Sequence, residues 1–367
     1  MNRYFIYMVL MCMLTNTVVF VPRMLLTERF SGAMMSIIVS IAVGSLSSYW
    51  FTKSILAFPG QGLPEIFEAA FPAWFRVPYL IFLAAMWIAA GSFVVVSYAR
   101  IIQRFVNPDF NLLALLAFFL IVSAWVAAGS SRSVLYLMEI VIIINLPLIV
   151  FILYKAIRSQ SMDWDAVRVM THYMGELPTL NSVSGATYVF TGYINMAIFN
   201  RTFQDVKRIQ WFWAVPVLGT LVLATSFFIP IGYHGTYGVD QYIYTWVSTS
   251  DSMRMEFGFI ERVLYVFLLL YLSISLLFVS VTWHVGAELF KGIFHLNHVD
   301  ENDRQSGSWL SWLVFLFSGG IVLWTAVYLN EKQSAAVASH WFVLRLVSEL
   351  SLVALMVWLA RRRRRKA

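Results

Sequence analysis

The sequence predicts an all-α integral membrane protein of ten transmembrane helices, arranged as a 5+5 inverted repeat in which helices one and six are broken. Three observations lead there. The chain is 60% hydrophobic and only 12% charged, whereas a soluble domain carries about 25% charged residues, so lipid must stand in for much of the polar surface. Apolar runs of roughly 20 residues, the length that crosses a bilayer, recur from end to end. Two of those runs, 4–26 and 183–200, are interrupted at mid-depth, and each opens a block of five. Matched interruptions of this kind point to an inverted repeat with a small-molecule site at the breaks.

The elements follow in order. Helix one, 4–26, carries Thr15-Asn16-Thr17 at its centre. Arg3 and the apolar stretch after it resemble a signal peptide, but no small-x-small cleavage site follows and the run continues past Pro22, so it is read as a helix. Helices two to five occupy 33–56, 78–104, 111–129 and 133–157. Helix six, 183–200, is broken by Thr191-Gly192-Tyr193 and Asn195. Helices seven to ten occupy 209–233, 259–282, 309–329 and 339–360. Together they form one transmembrane unit, 1–360, with repeats at about 4–158 and 183–360, followed by a basic tail at 361–367.

Three connections are long enough to hold structure. The one after helix two predicts a short interfacial helix that starts near Pro64, has Glu65 in its first turn and ends at Phe71-Pro72. The 159–181 loop carries Asp163, Asp165 and Glu176 around a short helix. The 235–258 loop, with Asp240, Tyr242, Tyr244 and Trp246, reads either as an external lid or as an interfacial aromatic belt.

The formal charge of +7 is concentrated in the run 361–366. A polybasic run directly after an apolar helix is a cytoplasmic anchor against anionic membrane lipid, and no nucleic-acid partner is expected. It also orients the chain with both termini in the cytoplasm, together with Arg3, Lys53, Arg76, Arg132, Arg201, Lys207, Arg208, Lys291 and Arg304. Without the tail the two faces nearly balance. The single Cys12 can form no internal disulfide, and no Cys/His metal pattern occurs. With no Ser/His/Asp set or phosphate loop either, neither an enzyme nor a cofactor is expected. His234, His284, His295 and His298 lie near the ends of apolar runs and read as interfacial.

Polar residues at membrane depth carry the chemistry. A broken helix leaves N–H and C=O groups that must face protein or a wet cavity, and such groups suit a small zwitterion. Thr15, Asn16, Thr17, Thr191 and Gly192 are the leading ligand candidates, with Tyr193 and Asn195 lining the same space. Gly91-Ser92 in helix three would let a ligand or a neighbouring backbone come close. Glu139 in helix five, one turn after Tyr136, is costly in lipid unless neutral, paired or hydrated. It reads either as a gating or proton-carrying residue or as a structural partner of Arg132 or another helix. Ser273 and Ser275 in helix eight are weak candidates for ion coupling, on different faces. Arg345 and Glu349, four apart on helix ten, read as a structural ion pair facing the bundle interior. Glu261-Arg262 heads helix eight at the interface.

With this layout the chain resembles the endospore germination permease family, the GerAB-type B subunits of nutrient germinant receptors, within the amino acid–polyamine–organocation (APC) superfamily. The resemblance runs over the whole chain, with local echoes at Gly62-Leu-Pro-Glu-Ile66, Met138-Glu139, Phe190-Thr-Gly-Tyr193 and Glu261-Arg262. It implies a LeuT-like fold and a receptor in the spore inner membrane. That receptor binds a nutrient such as an amino acid, sugar or nucleoside, and acts with germinant receptor A and C subunits. One departure is Ile194, where the family commonly has an acidic residue after the Gly-Tyr pair. The alternative is a proton-coupled amino acid carrier working through Glu139.

Overall fold

The computed structural model describes residues 2–203, 209–254, 262–294 and 309–365. Lys207, Arg208, Glu261, His295, His298, Arg304 and Lys366, used in the sequence reading, lie outside the described residues.

Every named element is helical. In chain order they are α1 (Asn2–Asn16), α2 (Phe20–Thr27), α3 (Ala33–Ile55), α4 (Leu63–Ala70), α5 (Ala73–Phe105), α6 (Leu112–Ala127), α7 (Ser131–Arg158) and α8 (Trp164–Val169). Then come α9 (Leu180–Thr187), α10 (Met196–Phe199), α11 (Ala214–His234), α12 (Thr245–Ser252), α13 (Val263–Lys291), α14 (Trp309–Tyr328) and α15 (Glu331–Arg364). Seven of these, α3, α5, α7, α11, α13, α14 and α15, are long and apolar enough to cross a membrane. The pair α1 and α2, bent by 56°, is together long and apolar enough for an eighth, and α6 is a shorter apolar helix. The protein is an integral membrane helical bundle.

Local chemistry sets the helix ends. Asn111, Ser130 and Asn330 cap α6, α7 and α15 with side-chain oxygens, and Gln333 returns the bond to Asn330. At α4 the Glu65 carboxylate accepts from the Gly62 N–H at 2.7 Å, and Pro64 sits in the first turn. That is where the sequence places a short helix. Helix ten begins earlier than expected, at Glu331, because this cap lets the polar stretch 331–338 join the apolar run.

α13 is the axis of the bundle, with 67% of its apolar window buried, against 22% for α7 and 28% for α14 on the lipid-facing periphery. It packs along α5, and small residues let the two backbones approach. A Cβ on Gly91 would stand 2.5 Å from Thr282 Oγ1, and one on Gly286 2.7 Å from Ile88.

Candidate functional site

The two interrupted segments meet side by side at the centre. The end of α1 and the residue after it carry three consecutive polar side chains that each bond to a carbonyl four residues back. Thr15 reaches Met11 O at 2.8 Å, Asn16 reaches Cys12 O at 2.8 Å, and Thr17 reaches Met13 O at 2.5 Å. Such bonds bend helices, and α2 leaves at 56° after a turn at 17–19. The second segment is not an open break. α9 tightens into a 3-10 stretch, Tyr188–Asn195, before α10 resumes. Residues 184–200 are buried throughout, so the poorly bonded 3-10 backbone is tolerated where protein encloses it. A Cβ on Gly192 would stand 2.2 Å from Met8 O and 2.6 Å from Val9 Cα, which makes this the tightest crossing between the two segments.

A cavity of about 50 Å³ lies against this crossing, where α1, α5, the 3-10 stretch, α13 and α15 converge. Its polar wall is Cys12, Thr191, Asn195, Arg345 and Glu349, and Trp87, Tyr188 and Trp341 supply the aromatic one. Arg345 and Glu349 form a buried ion pair, 4% and 5% exposed. Glu349 accepts from Tyr193 Oη at 2.6 Å and from Thr191 Oγ1 at 3.2 Å. Arg345 donates to the Ser184 carbonyl and to Thr187 and Thr191, and its guanidinium lies 5.0 Å from the Tyr188 ring centre. Thus the pair fastens α15 to α9 and the 3-10 stretch. Two buried atoms on the cavity-lining residues have no hydrogen-bond partner among the described residues: Arg345 Nε and Trp341 Nε1. Both are donors, one helical turn apart on α15.

Aromatic rings close this cavity off from two larger spaces. Phe20, at the start of α2, lies 6.3 Å from Phe93 and 5.7 Å from Phe342. Trp341 and Phe342 in turn contact Tyr188 at 5.5 and 5.1 Å. Phe20 borders both a vestibule of about 170 Å³ and a groove of about 680 Å³. At the other end of the helix-six segment, Arg201 bonds Glu65 of α4 at 2.6 Å and Glu288 of α13 at 2.9 Å, with Lys291 also on Glu288.

The sequence as a whole fits this architecture to a known group. A profile of the spore germination protein family, Spore_permease, matches residues 2–335. The chain belongs to that family. No curated protein matches it. Membership makes the protein a germinant-receptor-related membrane protein, as the resemblance implies.

Within this germination permease, the residues singled out from sequence divide into three groups. Thr191 and Asn195 line the cavity, and Asn195 Oδ1 accepts from Trp87 at 2.9 Å. Tyr193 stands behind the cavity on Glu349. Gly192 sets the crossing, and Thr15, Asn16 and Thr17 serve the bend, with Asn16 Oδ1 left unpartnered. The others lie elsewhere. Gly91 serves the approach of α5 to α13, and Ser92 bonds its own helix at Ile88 O and faces the groove. Ser273 ties α13 to Asn145 of α7 at 3.1 Å, Ser275 is buried beside Tyr271, and neither lines the cavity.

Glu139 pairs with Arg3 at 3.1 Å, a partner on another helix as one of its two sequence readings allows, and that arginine is 60% exposed at the start of α1. Thirteen residues separate Arg3 from Asn16, roughly 20 Å along a helix. The carboxylate therefore belongs to the end of the bundle and not to the breaks. His284, read from sequence as interfacial, is enclosed by protein. It is 3% exposed, bonded to Ala127 O and Ser131, and stacked on Phe199.

Arg345 and Glu349 carry the opposite lesson: their spacing predicts the pair, but nothing in the sequence says that it stands on the helix-six segment. Cys12, Trp87, Tyr188 and Trp341 gave no signal as site residues, because apolar and aromatic positions in a membrane helix look alike until the helices are packed.

Proposed function

We propose that this chain is the nutrient-binding B subunit of a germinant receptor, and that its ligand is an amino acid held beside the Arg345–Glu349 pair. One observation carries the reading: the unpartnered donors in the cavity wall, Arg345 Nε and Trp341 Nε1, sit next to a carboxylate, Glu349. A ligand carboxylate would take the two donors, and an ammonium would compete for Glu349. A space of about 50 Å³ is too small for an amino acid, so binding requires the aromatic wall to move. Ligand then shifts the population between a closed and an open bundle, which is what a receptor needs and which requires no net flux.

The bent first span, the short α6 and the 3-10-wound segment together support a ten-helix, 5+5 LeuT-like arrangement, with the site at the breaks. In this reading the A and C subunits sense the shift, the protein resides in the spore inner membrane, and both termini face the cytoplasm.

Spores lacking this chain, exposed to single amino acids, sugars and nucleosides, test the proposal. Dipicolinate release and uptake of labelled nutrient are followed side by side. Loss of release for one amino acid with uptake unchanged is expected. Normal release with reduced uptake would make the protein a carrier instead.

A further inference from the structure

The groove between α14 and α15 is a second, separate space that shares no lining residue with the central cavity. The two helices are joined through Leu329 and Asn330, yet α14 packs on α6 and α13 while α15 packs on α3 and α9. Their hairpin is splayed, and α5 forms the floor between them. The groove runs from Ile81 to Arg100 on α5, roughly 28 Å at 1.5 Å per residue. That matches a bilayer hydrocarbon thickness of about 30 Å. Its volume of about 680 Å³ is spread along this length between apolar walls, a long narrow shape suited to an extended hydrocarbon chain.

The charged side chains of the groove, Arg23, Arg100 and Glu331, all lie at one end, the end away from the arginine terminus of α15. Glu331 is engaged by Arg104 at 3.6 Å. Arg100 reaches only neutral partners, Leu329 O at 2.6 Å and Ser334 Oγ at 3.2 Å. Among the described residues the Arg23 side chain makes no ion pair or hydrogen bond. The mouth of an apolar slot thus carries uncompensated positive charge. We infer that the groove binds an anionic phospholipid, with its phosphate at Arg23 and Arg100 and one acyl chain lying along α5 between α14 and α15. That chain rests on Phe20 and Phe93, two rings of the wall that closes the central cavity.

The test uses the full chain in phosphatidylcholine nanodiscs containing a trace of phosphatidylglycerol with a nitroxide on its acyl chain. A motionally restricted spin-label component is expected for phosphatidylglycerol and not for labelled phosphatidylcholine. Arg23→Gln should weaken it about five-fold, the factor for one basic residue at an anionic lipid surface, and Arg23→Lys should restore it. Ala89→Trp fills the slot without touching the charges and should abolish the component. Ala85→Phe, at a more exposed groove position, does the same if Ala89→Trp fails to fold. Equal restriction of both lipids, or restriction that survives a filled slot, overturns the inference. So does loss of the component in the assembled receptor together with cross-linking of Ala89→Cys to a partner-subunit helix, which would make the groove a helix-docking site.

Discussion

Replacing Glu349 with Gln isolates the buried pair. The carboxylate neutralises Arg345, which is 4% exposed and otherwise surrounded by the Ser184 carbonyl, two threonine hydroxyls and the Tyr188 ring. Gln keeps an acceptor for Tyr193 but removes the counter-charge, leaving a guanidinium alone at membrane depth. Breaking one side of a buried pair costs about 3–5 kcal/mol, whereas replacing both sides with apolar residues of similar volume is often neutral or stabilising by about 1–4 kcal/mol. Glu349→Gln should therefore strongly destabilise the purified protein, and Arg345→Met with Glu349→Leu should recover most of the loss. Neither variant should respond to nutrient, because neither retains both charges. Thermal unfolding in detergent reads the first expectation, and dipicolinate release from spores with matched protein levels reads the second. A stable Glu349→Gln protein would mean that water reaches the pair. A fully responsive double variant would reduce the pair to a staple between α15 and the helix-six segment, and would refute its role in binding.

Two further outcomes follow from the packing of the same region. Gly192→Ala puts a methyl 2.2 Å from a backbone oxygen of α1, so the two segments must part by about 1 Å; overpacking of this kind costs about 1–3 kcal/mol, readable as a lowered unfolding temperature. An unchanged unfolding temperature would mean that the crossing is looser than it looks. Cys12 is the only cysteine and lines the closed cavity, so maleimide should label it slowly in membranes. Phe20→Ala deletes two ring contacts worth about 0.5–1.5 kcal/mol each and should speed labelling about ten-fold, and equal rates would show that the aromatic wall is not the barrier.

Much of this was legible without coordinates. Long apolar runs, the bend at Thr15-Asn16-Thr17, the α4 helix at Pro64-Glu65 and the i,i+4 spacing of Arg345 and Glu349 are local properties, and local chemistry produces them. Glu139 stayed ambiguous because a carboxylate within an apolar run has the same spacing whether it carries a proton or pairs with another helix, and its partner, Arg3, is known only once α1 and α7 pack. Gly91-Ser92 left a ligand and a neighbouring helix as alternatives because a small residue beside a ligand and one beside Thr282 are the same letters.

The sequence by itself determined the solvent, the helices and the family. Hydropathy and capping act over a few turns, and a family profile is matched along the chain. Only the tertiary structure decided which side chains share a cavity. Residues 12, 87, 188, 341 and 345 come from four separate stretches of chain and converge only when α1, α5, the 3-10 segment and α15 pack together. Burial then turns an ordinary ion pair into a place where two unpartnered donors and a carboxylate stand side by side against a cavity.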